Sequence, residues 1–104
     1  QYQPQHKKSF IDIFRMNGNE RLRVRLSLGI LSRNLLLEEY PLAEQQLTPT
    51  EDGRWILDTE VANYAGVARF VVGLMDDIRI IDTPDLEQYL ANYVAKYWSE
   101  AIKQ

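Results

Sequence analysis

Two rows of side chains in this sequence of 104 residues have the type and spacing to do chemistry. Arg21, Arg23 and Arg25 recur at every second position, and Arg79 stands in a second short alternation further on. Guanidiniums held in such a row can take an anion by paired hydrogen bonds. Tyr89, Tyr93 and Tyr97 recur at every fourth position, with Trp98 beside the last. That spacing gathers them on one side of a helix, and aromatic side chains with a polar tip are enriched where proteins meet partners. Other chemistries lack their residues. The single histidine is His6 and there is no cysteine, and no His, Asp or Glu cluster has metal-ligand spacing, so we expect no catalytic residue, no enzyme, no metal and no cofactor. The acids Asp76, Asp77, Asp82 and Asp85 are explained by a helix end, a strand end and a helix first turn more simply than by a cation.

The elements that position these rows follow from periodicity. Leu22, Val24, Leu26 and Leu28 alternate with Arg21, Arg23, Arg25 and Ser27, which predicts a strand with one buried and one ionic face. Gly29 ends it. Ile30 to Tyr40 is rich in helix formers and is stopped by Pro41, with Leu31 and Leu35 sharing a face and Leu36 and Leu37 beside them. A hairpin is expected next, Leu42 to Pro49 and Arg54 to Val61, turning at Thr50-Glu51-Asp52-Gly53. Asn63 can cap a helix over Tyr64 to Met75, whose Val67, Phe70, Val71 and Leu74 form a core-facing stripe. Ile78 to Asp82 predicts a short strand, and Thr83-Pro84-Asp85 opens a helix to about Ala101 with a capping hydroxyl and a proline in the first turn.

The predicted order is β-α-β-β-α-β plus a further α. This is an α+β class, the ferredoxin-like βαββαβ antiparallel sheet with helices on one face and an additional C-terminal helix. Right-handed crossovers make the first and third strands central neighbours, with the fourth on the far side of the first. Arg21, Arg23 and Arg25 then lie beside Asp58 and Glu60, with Arg79 on the opposite flank. Two readings of that face stay open. It is a ladder of cross-strand ion pairs on a wet surface, or its surplus arginine charge captures an anionic ligand or the acidic patch of a partner. Leu86, Leu90 and Val94 suffice to dock the last helix on its own domain, so two readings stay open here as well: part of the tyrosine stripe is left for a partner, or the helix is wide-faced and buried in its own core.

Composition narrows the class. Hydrophobic residues make up 45% and charged residues 26%, the balance of one soluble domain. A net charge of −3 weakly repels a phosphate backbone. A sheet binding single-stranded RNA would present stacking aromatics on its central strands, whereas this one would present Arg, Ile, Asp and Glu. With no apolar run of membrane length and no signal-peptide pattern, we expect no membrane partner and a cytoplasmic location. The opening QYQPQHKK is polar and aperiodic, as a linker within a longer chain would be. We therefore divide the chain into a junction, residues 1–19, in which Ser9 to Met16 is an apolar patch before an Asn17-Gly18-Asn19 turn, and a domain over residues 20–104.

The succession RLRVRLSLG, a leucine-rich helix ending EEYP, a hairpin arm DGRWILDTEV, and NYAGVARFVVGLMDDIRIIDTPDLEQYL resembles the C-terminal extension (WCX) of bacterial WYL-domain transcriptional regulators. The likeness covers about Ile11 to Tyr97, and SFIDIFRMNG resembles the junction by which a WYL domain leads into that extension. It rests on element order rather than a catalytic fingerprint. The resemblance implies a regulator whose N-terminal helix-turn-helix binds DNA, whose middle WYL domain senses an effector or nucleic acid, and whose C-terminal extension serves dimerisation and signal transmission. Neither a helix-turn-helix nor a Trp-Tyr-Leu tripeptide occurs in this sequence, so DNA would be met only through a domain that the sequence lacks, and no DNA-reading or sensor residue is carried over. The partners implied are the chain's own WYL and helix-turn-helix domains and a second copy. The alternative is a sensor of an anionic small molecule or nucleotide, using the sheet face of Arg21, Arg23, Arg25 and Arg79.

Overall fold

The computed structural model describes residues 10–103. The polar opening stretch with His6, and Ser9, lie outside the described residues. A two-stranded ribbon of β1 (Phe10–Ile11) and β2 (Asn17–Gly18) precedes the main sheet. Then follow β3 (Leu22–Leu28), α1 (Ile30–Glu39), a 3₁₀ turn (Pro41–Gln46), β4 (Leu47–Pro49), β5 (Trp55–Val61), α2 (Ala65–Gly73), β6 (Ile78–Ile80) and α3 (Pro84–Ala101). The main sheet has the order β4-β5-β3-β6 with every neighbouring pair antiparallel, which is the arrangement that right-handed crossovers dictate. Among the described residues no helix is long and apolar enough to cross a membrane.

The two faces of the sheet differ as the alternation requires. Val24, Leu26 and Leu28 of β3 and Leu57 and Val61 of β5 are buried. They form one cluster with Leu36 of α1, Val67 and Val71 of α2, and Leu86 and Leu90 of α3. At about 1.5–3 kcal/mol for each fully buried aliphatic side chain, this cluster supplies most of what holds the layers together. The register sets Leu26 against Leu57 and Arg25 against Asp58, so each strand delivers its aliphatics to the helices and its charges to the other side.

Several local expectations give way. The first hairpin arm is a strand only over Leu47–Pro49; Leu42 to Gln46 lie in the 3₁₀ turn. Pro41 fixes a helical φ at its first position, and Ala43 N–H donates to Tyr40 O at 2.9 Å, folding the chain back before it can extend. The Asn17-Gly18 pair is an arm of the ribbon and not its turn. The turn is held instead by Asp12, whose Oδ1 accepts from the N–H groups of Phe14 (2.8 Å) and Met16 (3.0 Å) while Oδ2 accepts from Ala62 N–H (2.8 Å). Arg15 in that turn adopts φ 64°. Phe14 thereby enters the core, 5.1 Å from the Tyr40 ring and 5.9 Å from Phe70. A Cβ at Gly66 would stand 2.8 Å from Phe14 Cβ, so the bare glycine lets α2 approach it.

In α1 the leucines Leu31 and Leu35 do share a face, but it is the exposed one, and Ser32 and Leu36 point inward. β6 stops at Ile80, because Asp82 turns the chain away with φ 47°. Asn63 Oδ1 accepts from Ala65 N–H at 2.8 Å at the head of α2. The Thr83 hydroxyl makes no capping bond; it is buried without a hydrogen-bond partner, and the turn is closed by Glu87 N–H donating to Thr83 O at 3.0 Å.

Candidate functional site

The sheet face brings Arg21, Arg23 and Arg25 together and sets acids among them. Arg21 Nη1 lies 3.3 Å from Glu60 Oε1 and Arg23 Nη2 3.3 Å from Asp58 Oδ2. These are diagonal contacts, since the register places Arg23 opposite Glu60 and Arg25 opposite Asp58. Arg25 spans two acids, with Nε 3.5 Å from Asp58 Oδ2 and Nη1 3.6 Å from Asp82 Oδ2; the first is an ion-pair distance without hydrogen-bond geometry. Arg79 sits opposite Ser27 on the same face and has no ion-pair partner among the described residues. The Arg21 guanidinium also covers the Phe10 ring at 4.0 Å. The depression here, about 410 Å³, is lined by Arg21 and Arg23 but equally by Asp58 and Glu60. Its cations meet acids of the same chain, which favours the ladder reading of this face.

A different arginine, Arg54 at the start of the second hairpin arm, organises the end of the sheet. Arg54 Nε donates to Ser27 Oγ at 2.7 Å, and Arg54 Nη2 donates to Ser27 O at 2.9 Å and to Asp77 O at 2.8 Å. The same Asp77 carbonyl accepts from Gly29 N–H at 3.1 Å. The Asp77 carboxylate accepts from Ser32 N–H at 2.7 Å and so caps α1 from outside, as Gly29 has no side chain to do it. A Cβ at Gly29 would run into that carboxylate. The Ser32 hydroxyl, which also lies 3.4 Å from Gly29 O, and then the Ser32 N–H hold the Asp77 carboxyl below its ordinary pKa, with the Arg54 charge a smaller contribution. No sequence signal marks this cluster, because its members are dispersed from Ser27 to Asp77.

The aromatics of α3 do not share one surface. Leu86 and Leu90 anchor the helix, and beyond them it runs outward with Val94, Tyr97 and Trp98 exposed. On one flank, Tyr64, Tyr89, Tyr93 and Tyr97 form a ladder with ring centroids 5.5, 6.3 and 4.8 Å apart. Tyr64 at its inner end donates its hydroxyl to Arg23 O at 3.2 Å, and burial, with the Asp85 charge second, pushes its phenol pKa up. Arg69, Asn92 and Lys96 join the three outer tyrosines around an open groove of about 380 Å³. On the other flank, Trp98 and Val94 stand with Leu90, Val71, Met75 and Ile80 around an apolar groove of about 470 Å³. Helical geometry separates them: Trp98 lies 100° around the axis from Tyr97 and 140° from Tyr93, at about 100° per residue. Sequence periodicity grouped Trp98 with the tyrosines; which flank each lines depends on where α2 lies. Arg69 and Lys96 escaped notice because they are isolated cations on two separate helices.

No curated protein and no solved structure matches the chain. A family model described as the WCX domain matches residues 18–98, from the end of β2 through the aromatic end of α3. With the sheet order and the C-terminal helix in agreement with the resemblance of the sequence, the chain belongs to the WCX domain family, a regulatory module of WYL-type transcriptional regulators.

Proposed function

We propose that this chain is the C-terminal regulatory and dimerisation module of a bacterial, cytoplasmic WYL-type regulator. It passes effector state from a WYL domain towards a helix-turn-helix domain, the only part that meets DNA. Residues 1–19 lead in from the preceding domain and residues 20–104 form the module, which pairs with a second copy through α3. Of the four aromatics Tyr89, Tyr93, Tyr97 and Trp98, the tryptophan is the most exposed, at 65%, and forms the centre of the contact.

The observation that carries this reading is the apolar groove beside Trp98. Its walls are almost wholly carbon, and Met75 and Val94 at its borders are exposed as well, an arrangement typical of the aromatic anchor and pocket of an interface. The fastened junction supports transmission. Asp12 bonds Ala62 at the end of β5 and Phe14 enters the core, so a displacement of whatever precedes the ribbon is felt by the sheet rather than absorbed by slack chain. Sedimentation velocity at micromolar concentration is expected to show a dimer. Trp98→Ala should weaken it by about 2 kcal/mol or more, roughly 30-fold in Kd, with the monomer's melting temperature unchanged. A monomer at every concentration, alone and joined to its WYL domain, would sink the reading.

A further inference from the structure

The flank of α3 away from Trp98 has a different chemistry. Arg69 of α2 and Lys96 of α3 border the groove of about 380 Å³, no acidic side chain lines it, and neither cation has an ion-pair partner among the described residues. Three tyrosine rings, the Asn92 amide and Ala65 complete the lining. Tyr97 is 49% exposed, and Lys96 Nζ rests 5.1 Å from its ring centroid. Unpaired positive charge, flat π faces and an amide in one groove suit an anion that also carries a flat ring. We propose that this groove binds a nucleotide, with the base stacked on Tyr97 and the phosphate held between Arg69 and Lys96, the lysine leaving the ring as the base takes its place.

Two comparisons select this ligand. A run of acidic residues would use the cations but carries no aromatic ring to stack on the tyrosines. A nucleic-acid strand would place successive phosphates along the surface, and two unpaired cations on a chain of net charge −3 are few against the roughly 6–10 phosphate contacts of a strong binder. The Arg21, Arg23 and Arg25 row, richer in cations, is a poorer anion site because Asp58, Glu60 and Asp82 already occupy it. The inference rests on reading the chain as a regulatory module, for which it supplies an effector class, and is independent of dimerisation.

Isothermal titration of the whole chain with AMP tests it, with adenosine, inorganic phosphate and a hexaglutamate peptide as comparison probes. AMP should bind saturably and more tightly than any of the three. Arg69→Gln and Lys96→Gln should each weaken it about tenfold or more, and Tyr97→Leu about fivefold or more. All three residues are on the surface, so the variants should melt with the parent, and Arg23→Gln should leave binding unchanged. The proposal is overturned by absence of AMP binding, by adenosine, phosphate or hexaglutamate binding as tightly, or by loss in Arg23→Gln in place of Arg69→Gln. Sedimentation of the same variants separates the two readings. AMP binding lost in a dimer removes the nucleotide site alone, and a monomer that binds AMP removes the dimer alone.

Discussion

Arg54 and the row of Arg21, Arg23 and Arg25 occupy the same face of one sheet, yet they do unlike work. Arg21 and Arg23 are exposed and Arg25 is half-buried, and all three meet carboxylates: side chains of Arg21 and Glu60 are 57% and 54% accessible. Water screens such pairs, and each contributes only ~0–1 kcal/mol. Arg54 is half-buried and meets no carboxylate within ion-pair distance; it donates three hydrogen bonds, two of them to backbone carbonyls. A charge satisfied by fixed neutral acceptors out of water holds structure better than a charge paired in water, because its partners cannot turn to solvent instead.

The largest effect that tests this contrast is Arg54→Ala. It should lower stability by about 2–4 kcal/mol, since Ser27 and the Asp77 carbonyl lose charge-assisted donors. For a domain of this size that is a fall in Tm on the order of 10–20 °C by calorimetry. Arg54→Lys should recover little of it, because an ammonium on a thinner stem does not reach three acceptors in a fork. If Arg54→Lys melts with the parent, charge rather than geometry is what the position supplies.

Next in size is Asp77→Ala, about 1 kcal/mol for the loss of a helix cap, measured by urea unfolding. The accompanying pH dependence has a definite sign. The folded-state pKa of Asp77 lies below its unfolded value, so its contribution is present above the unfolded value near 4 and is lost as pH falls through the lowered folded one. Asp77→Asn keeps an acceptor for Ser32 N–H and should flatten that acid limb while costing less than Asp77→Ala. An unchanged acid limb in Asp77→Asn would show that the carboxylate is not what titrates.

The smallest effect is expected in the row itself. Arg23→Gln should change stability by under ~1 kcal/mol, and the change should vanish in molar salt. A loss as large as that of Arg54→Ala would erase the contrast and make the ladder a structural element.

Much of this was legible beforehand, for a physical reason. Period-two alternation over Arg21 to Leu28 and over Trp55 to Val61 leaves a strand only one way to bury its aliphatics, and two such strands with helical crossovers leave few sheet orders. The stripe of Val67 and Val71 and the proline-led start of α3 were equally explicit. Illegible were features whose cause is distant in sequence. α1 carries leucines all around, so its inward face is chosen by the bond from Ser32 N–H to Asp77 rather than by its own pattern. The turn expected at Asn17-Gly18-Asn19 gave way to a ribbon arm because an Asn-Gly pair is only a local signal, while the carboxylate that overrides it reaches from Asp12 to Ala62.

By itself the sequence determined the layers, the sheet order and the family, since these follow from nearest-neighbour periodicity and element succession. Only the tertiary structure decided which charges are free. A guanidinium looks the same in a sequence whether an acid waits across the sheet or not, and Coulomb attraction over a few ångströms depends on separations that only packing sets. That is why Arg21, Arg23 and Arg25, conspicuous in the chain, proved to be paired, while two cations without an acid, Arg69 and Lys96, came together from two helices on the tyrosine flank of α3.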